Sequence, residues 1–255
     1  MFSLFDLPLS TLLIVILAIG FAGLVHGTLG LGFPMVATPL LATMVDVRSA
    51  ILITLLPTMA VNLISIFRSP NSLSNTQKFS PLILFTLLGS IVGAYILSVM
   101  EPSPFRIVLA GLILIYLASS YLAKIPSSIF LAQPFFWMAT VGLLAGLSTG
   151  TTNVMVAVLI IYFLSLETPR STIIPVMNSC FLVGKISQII VFSLTGLIGA
   201  SLVIESLPLA ALATVTLLVG QKIQPHIKIE TYQNLLKVLL LTLALILITQ
   251  FFLEL

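Results

Sequence analysis

An all-α polytopic membrane protein, with about eight to ten hydrophobic segments in two homologous halves and short broken helices at the centre, is the fold this sequence predicts. Three observations predict it. Of 255 residues, 59% are hydrophobic and only 7% are charged, with a mean hydropathy of +1.27, whereas soluble domains carry about 25% charged residues. A crossing helix needs about 20 mostly apolar residues to span a hydrocarbon core about 30 Å thick, and such stretches fill nearly the whole chain. Finally, two unusually short segments hold the same ordinal place in each half, the mark of a duplicated membrane protein.

Prolines and short polar clusters bound the segments in order. Leu9 to Gly27 is longer than a signal-peptide core and lacks both a basic run before it and a small-x-small cleavage site behind it, so it is expected to be a retained span. Then come Pro34 to Val45, Ser49 to Phe67, Pro81 to Val99, Phe105 to Ala123, Pro134 to Ser148, Asn153 to Leu166, Ser171 to Leu194, Ser201 to Val219 and Tyr232 to Leu253. Pro34 to Val45 and Asn153 to Leu166 are too short to cross comfortably. The polar stretch Arg68 to Lys78 is the longest loop, and no loop is large enough for a soluble domain.

The letters agree with a repeat of residues 1–125 in residues 126–255. Gly23-Leu-Val-His-Gly27 aligns with Gly142-Leu-Leu-Ala-Gly146, Met35-Val-Ala37 with Met155-Val-Ala157, Arg48-Ser49 with Arg170-Ser171, and Gly93 with Gly220. If all ten segments cross, Arg68, Lys78, Lys124, Arg170, Lys222 and Lys228 fall on one side, and Arg48 and Arg106 on the other. If the short segments re-enter, the split is more even. The positive-inside bias therefore favours ten segments, an inverted repeat and both termini outside the cytoplasm.

Several classes of function are excluded. Cys180 is the only cysteine, which rules out an internal disulfide and a cysteine-cluster metal site, and no metal or other cofactor is expected. The net charge of +3 is scattered singly through the loops, so nucleic acid is not an expected partner. The expected partners are the lipid bilayer and a small anionic solute, with a homodimer an admissible assembly. No nucleotide-binding motif appears. An intramembrane enzyme would need a histidine pair, an aspartate pair or a serine with a base, and His26 and His226 lie far apart in unlike surroundings.

The chemistry concentrates in two motifs. In Gly23-Leu-Val-His-Gly-Thr-Leu-Gly-Leu-Gly-Phe-Pro34 each glycine weakens a helix by roughly 1 kcal/mol, and the proline removes a donor. The helix is expected to break there. Broken backbone at membrane depth must be covered by protein or line a watery cavity. If Pro34 opens the next helix, backbone N–H groups and the positive end of the helix dipole point into the break, a seat for an anion. Half two repeats the plan as Gly146-Leu-Ser-Thr-Gly-Thr-Thr-Asn153, where the hydroxyls of Ser148, Thr149, Thr151 and Thr152 are candidate donors and Asn153 either caps the following helix or reaches the solute. Gly23/Gly27 and Gly142/Gly146 also fit close helix packing.

Lys185 lies deep within Ser171 to Leu194, where a cation costs roughly 2.5 to 3.5 kcal/mol and so needs a partner. That partner is either the solute or a structural group such as Glu205 or a helix-end carbonyl. His26 either serves an anion or a proton, or ties two helices together. Asn62, Asn178 and Gln188 are amides within spans, and Asn178 lies about two turns from Lys185 on the same helix face. Glu205 reads as interfacial, Asp46, Arg48, Glu167 and Arg170 as interface or gate residues, and Trp137, Tyr121 and Tyr232 as belt residues. The expected solute site is His26, Gly27, Gly30, Gly32, Pro34, Thr149, Gly150, Thr151, Thr152, Asn153, Asn178 and Lys185.

The stretch Gly27-Thr-Leu-Gly-Leu-Gly-Phe-Pro-Met-Val-Ala-Thr-Pro39, the hydrophobic segment after Arg48-Ser49 and the recurrence of both in half two resemble the TauE/SafE sulfite exporter family of membrane permeases. The resemblance covers nearly the whole chain. It implies transport of a sulfur-containing anion such as sulfite, sulfoacetate or a related organosulfonate across a bacterial inner membrane. The expected function is therefore a secondary transporter working by alternating access, with His26 and Lys185 the candidates for proton coupling. An anion channel for a similar solute is the alternative.

Overall fold

A computed structural model describes residue 4 and residues 7–69, 72–119 and 125–253. Lys124 and Tyr121, named above, lie outside the described residues. All ten expected hydrophobic segments are helices: α1 (Leu9–Leu29), α2 (Phe33–Ala42), α3 (Val47–Arg68), α5 (Ser80–Val99), α6 (Pro104–Ala118), α8 (Pro134–Thr152), α9 (Val156–Ser165), α10 (Arg170–Leu194), α11 (Ala200–Ile223) and α12 (Ile229–Leu253). Two further short helices, α4 (Ser72–Lys78) and α7 (Ser127–Ala132), form where the sequence reads as loop. Phe130 of α7 packs edge-on against Trp137 and Tyr162, which gives that short helix an apolar anchor. Among the described residues, six helices are long and apolar enough to cross a membrane, and no strand occurs.

The glycines decide which helices touch. A Cβ at Gly27 would stand 2.1 Å from the Leu217 carbonyl oxygen, and one at Gly146 2.2 Å from that of Thr86, so only glycine admits these approaches. Gly23 faces Ala213 and Thr216, and Gly27 faces Leu217 and Gln221, so α1 and α11 run parallel. Gly142 faces Leu82 and Phe85, Gly146 faces Thr86 and Ser90, and Gly150 faces Ser90 and Ala94, so α5 and α8 do the same. Close backbone approach of this kind is how small residues join helices in lipid.

Two ends of the bundle follow from the contacts. Arg170 Nη2 donates to the Leu29 carbonyl at 2.6 Å, which joins the start of α10 to the end of α1. Arg68, Arg170 and Gln221 share a hollow, which adds the ends of α3 and α11. At the opposite end Arg48 donates from Nε to Leu97 at 2.9 Å and from Nη2 to Met100, joining the start of α3 to the end of α5. Gln250 Nε2 donates to the Thr43 carbonyl at 2.9 Å, which puts the ends of α12 and α2 together there. Both arginines thus meet carbonyls at a helix C-terminus, where the dipole favours a cation. Successive apolar helices alternate in direction, with α2 and α9 each about 15 Å long and running only part of the way. Arg68, Lys78, Arg170, Lys222 and Lys228 belong to elements meeting at the first end, and Arg48 and Arg106 to the second.

Candidate functional site

The helix before each short segment ends in a left-handed residue. Gly30 (φ 80°) closes α1 and its N–H donates to the His26 carbonyl at 2.7 Å, while Asn153 (φ 64°) closes α8 and its N–H donates to the Thr149 carbonyl at 3.0 Å. Gly32 (φ 110°) then turns the chain into α2, where Pro34 sits in the first turn. Positive φ is cheap for glycine and tolerable for asparagine, which is why these letters stand at the breaks.

The second break builds a polar node with no exposure to solvent. Asn153 Nδ2 donates to Thr38 Oγ1 and to Thr54 Oγ1, both at 3.1 Å, reaching α2 and α3 of the other half. Its Oδ1 accepts from Lys185 Nζ and, at 3.2 Å, from Gln188 Nε2. Lys185 also donates to Gln188 Oε1 at 2.6 Å, and Gln188 Nε2 reaches the Thr149 and Gly150 carbonyls at 3.0 and 3.3 Å. Thr38, Thr54, Asn153, Lys185 and Gln188 are all 0% exposed, and no carboxylate is among the buried polar residues described. The Lys185 amine, in a low-dielectric interior, is therefore met by amide oxygens alone, whose partial charge would not balance a full one.

The first break is closed by His26. Its Nδ1 accepts from the Phe33 N–H at 3.3 Å and its Nε2 lies 2.9 Å from Ser65 Oγ, an arrangement that places the ring proton on Nε2. The ring thus takes the N–H that opens α2. Below it lies a hollow of about 260 Å³ lined by Gly27, Gly30, Ser65, Arg68, Arg170 and Gln221 among others, with two arginines and no carboxylate.

Several expectations change in detail. Gly30 and Gly32 make the first break, but Gly27 and Gly150 stay helical inside the glycine contacts. Thr149 to Thr152 form the last turn of α8 and not a broken stretch. Ser148 and Thr152 return their hydroxyl protons to the carbonyls of Leu144 and Ser148 at 2.8 Å, and Thr151 to that of Leu147 at 2.8 Å, the usual retreat of hydroxyls inside a helix. Only Thr149 Oγ1 of the four is left without a partner among the described residues. Asn153 ends α8 and does not cap α9, whose N-cap is Met155. Glu205 is not the partner of Lys185, since its carboxylate accepts from the Leu4 N–H at 2.6 Å beyond the start of α1. Asn178 Nδ2 donates to the Gly30 and Ile174 carbonyls at 3.0 and 2.8 Å, so it supports the first break and not the lysine. Arg170 and Arg48 brace helix ends, as described above, and Asp46 caps α3 through Ser49.

Thr38, Thr54 and Ser65 are site residues that a reading of motifs passes over. Thr54, Thr58, Asn62 and Ser65 follow one another at helical spacing, a polar stripe in an otherwise apolar α3, and that period was the available signal.

No curated protein matches this chain, and no solved structure matches it. A family model does: Sulfite exporter TauE/SafE, over residues 15–247. That match spans both glycine-lined helix pairs, both left-handed breaks and the buried lysine. The chain belongs to the TauE/SafE sulfite exporter family.

Proposed function

We propose that this protein is a secondary transporter that moves a small sulfur-containing anion, sulfite, sulfoacetate or a related organosulfonate, across the inner membrane by alternating access. One observation carries the reading: Lys185 is wholly buried, has no carboxylate beside it among the described residues, and is held by the residue that closes α8. An arriving anion supplies the missing charge and competes with Asn153 for the ammonium. Because Asn153 also ties Thr38 and Thr54, its release would uncouple the α8–α9 break from α2 and α3, so binding and rearrangement are one event.

The hollow with Arg68 and Arg170 suits the mouth through which an anion enters or leaves, since its field attracts negative charge. The excess of cations at that end favours placing it in the cytoplasm. The helix pairings support an inverted repeat of residues 1–125 and 126–255: α1 packs on α11 as α8 packs on α5, and α3 on α11 as α10 on α5. Gly30 and Asn153, the left-handed helix ends 123 positions apart, support a register one turn from the one the glycine letters suggest. Full burial of the lysine node favours a carrier over an open channel.

Purified protein in liposomes loaded with sulfite or sulfoacetate is expected to give saturable flux and counterflow of labelled solute against its own gradient. Linear flux without counterflow would mark a channel, and no flux of any of these anions would remove the reading.

A further inference from the structure

Two side chains in the polar stripe of α3 are used by neither node. Thr58 Oγ1 and both polar atoms of Asn62 have no hydrogen-bond partner among the described residues, and both residues are 0% exposed. They stand four positions apart on one helix face. Thr54, one turn before Thr58, is held by Asn153, and Ser65, three positions after Asn62, is held by His26. At about 1.5 Å per residue, Thr54 and Ser65 are about 16 Å apart along the helix, and the orphan pair lies between them. Thr54, Thr86 and Thr216 each return their hydroxyl proton to the carbonyl four residues back, and Thr58 does not. Packing alone is served better by an apolar side chain at such a place, since a buried polar group without a partner is costly.

We propose that Thr58 and Asn62 form an uncharged relay subsite between the His26 and Lys185 nodes, and that it accepts an oxyanion still carrying a proton, such as hydrogensulfite, in preference to the dianion. The inference rests on the transport reading above and names the solute form within it. Whichever way the Asn62 amide is turned, it presents N–H donors and one carbonyl oxygen, and that oxygen needs a donor. A dianion brings acceptors only. A protonated monoanion offers acceptors to the N–H groups and a donor to the carbonyl or to Thr58. Lys185 is the one buried amine among the described residues, so it can neutralise one charge of the solute and not two. The titratable or charged groups on the helices packed against α3 are His26 on α1, Arg170, Cys180 and Lys185 on α10, and Glu205 and Lys222 on α11, while α2 has none.

The test is sulfite flux into liposomes holding wild type, Asn62→Leu or Thr58→Val, with melting temperature measured on the same preparations. Wild-type flux is expected to fall as the medium turns alkaline and to follow the hydrogensulfite concentration when total sulfite is varied at each pH. Asn62→Leu is expected to lose at least tenfold in sulfite flux with a melting temperature no lower than wild type, because no internal bond is removed. Thr58→Val should lose flux in the same direction. Unchanged flux in both variants, or lost flux with a lowered melting temperature, overturns the subsite. Flux that follows the dianion, or sulfoacetate flux without sulfite flux, overturns the choice of solute form. No flux of any anion in wild type would instead strike at the transport reading.

Discussion

Lys185 stands out at the residue scale because a cation inside a 25-residue apolar helix admits few explanations. Replacing it with methionine keeps an unbranched side chain, one atom shorter, and removes the amine. A hydrogen bond to a charged group contributes about 1.5–3 kcal/mol, so Lys185→Met is expected to raise the KM for sulfite about tenfold or more while the protein stays monodisperse in detergent. An unchanged KM in liposome flux would take the lysine out of the solute site. The lysine was legible in the sequence, but its holder was not. Asparagine serves both ends of a helix, and the letters Thr-Thr-Asn153 fit a cap on the next helix as well as a left-handed stop on the last. The hydroxyls of Ser148 to Thr152 were legible as donors but not in their direction, since a helix that continues to Thr152 supplies carbonyls of its own to take them. His26 bonds to Phe33 and Ser65 and so ties α1 to α2 and α3, a partnership that its place in the glycine motif does not reveal.

Helix by helix, the apolar segments were readable because lipid demands long runs and polar punctuation between them. The loops hid α4 and α7: seven- and six-residue helices leave too short a pattern, and α7 depends on aromatic neighbours from other elements. The glycines separate into classes that only contacts reveal. Gly27 touches the α11 backbone, whereas a Cβ at Gly111 meets nothing within 4 Å. Gly27→Val is therefore expected to force α1 from α11 at a cost of at least about 1–3 kcal/mol. Gly111→Ala should be neutral or stabilising by up to about 1 kcal/mol, through helix propensity. Melting curves of the two purified variants check this contrast, and equal curves would mean that the α1–α11 contact is not tight.

At the scale of the whole molecule, the alternating helix directions and the unequal distribution of cations predict an orientation with the cation-rich end in the cytoplasm. Cys180 is the single cysteine and is buried, so the background for labelling is silent. In intact cells an impermeant maleimide is expected to react with Glu101→Cys, and with Ser74→Cys only after the membrane is opened. The reverse pattern would invert the orientation. Ten segments and their alternation were within reach of the sequence, because hydropathy and charge are summed over many residues. Which helix sits on which was not, because the partners are remote in the chain. Both glycine seams, α1 with α11 and α5 with α8, stitch a helix from residues 1–125 to one from residues 126–255. Any bodies that swing past each other would thus be hybrids of residues 1–125 and 126–255. During synthesis α1 must wait in the bilayer, its glycine face unmatched, until α11, nearly two hundred residues later, has been inserted.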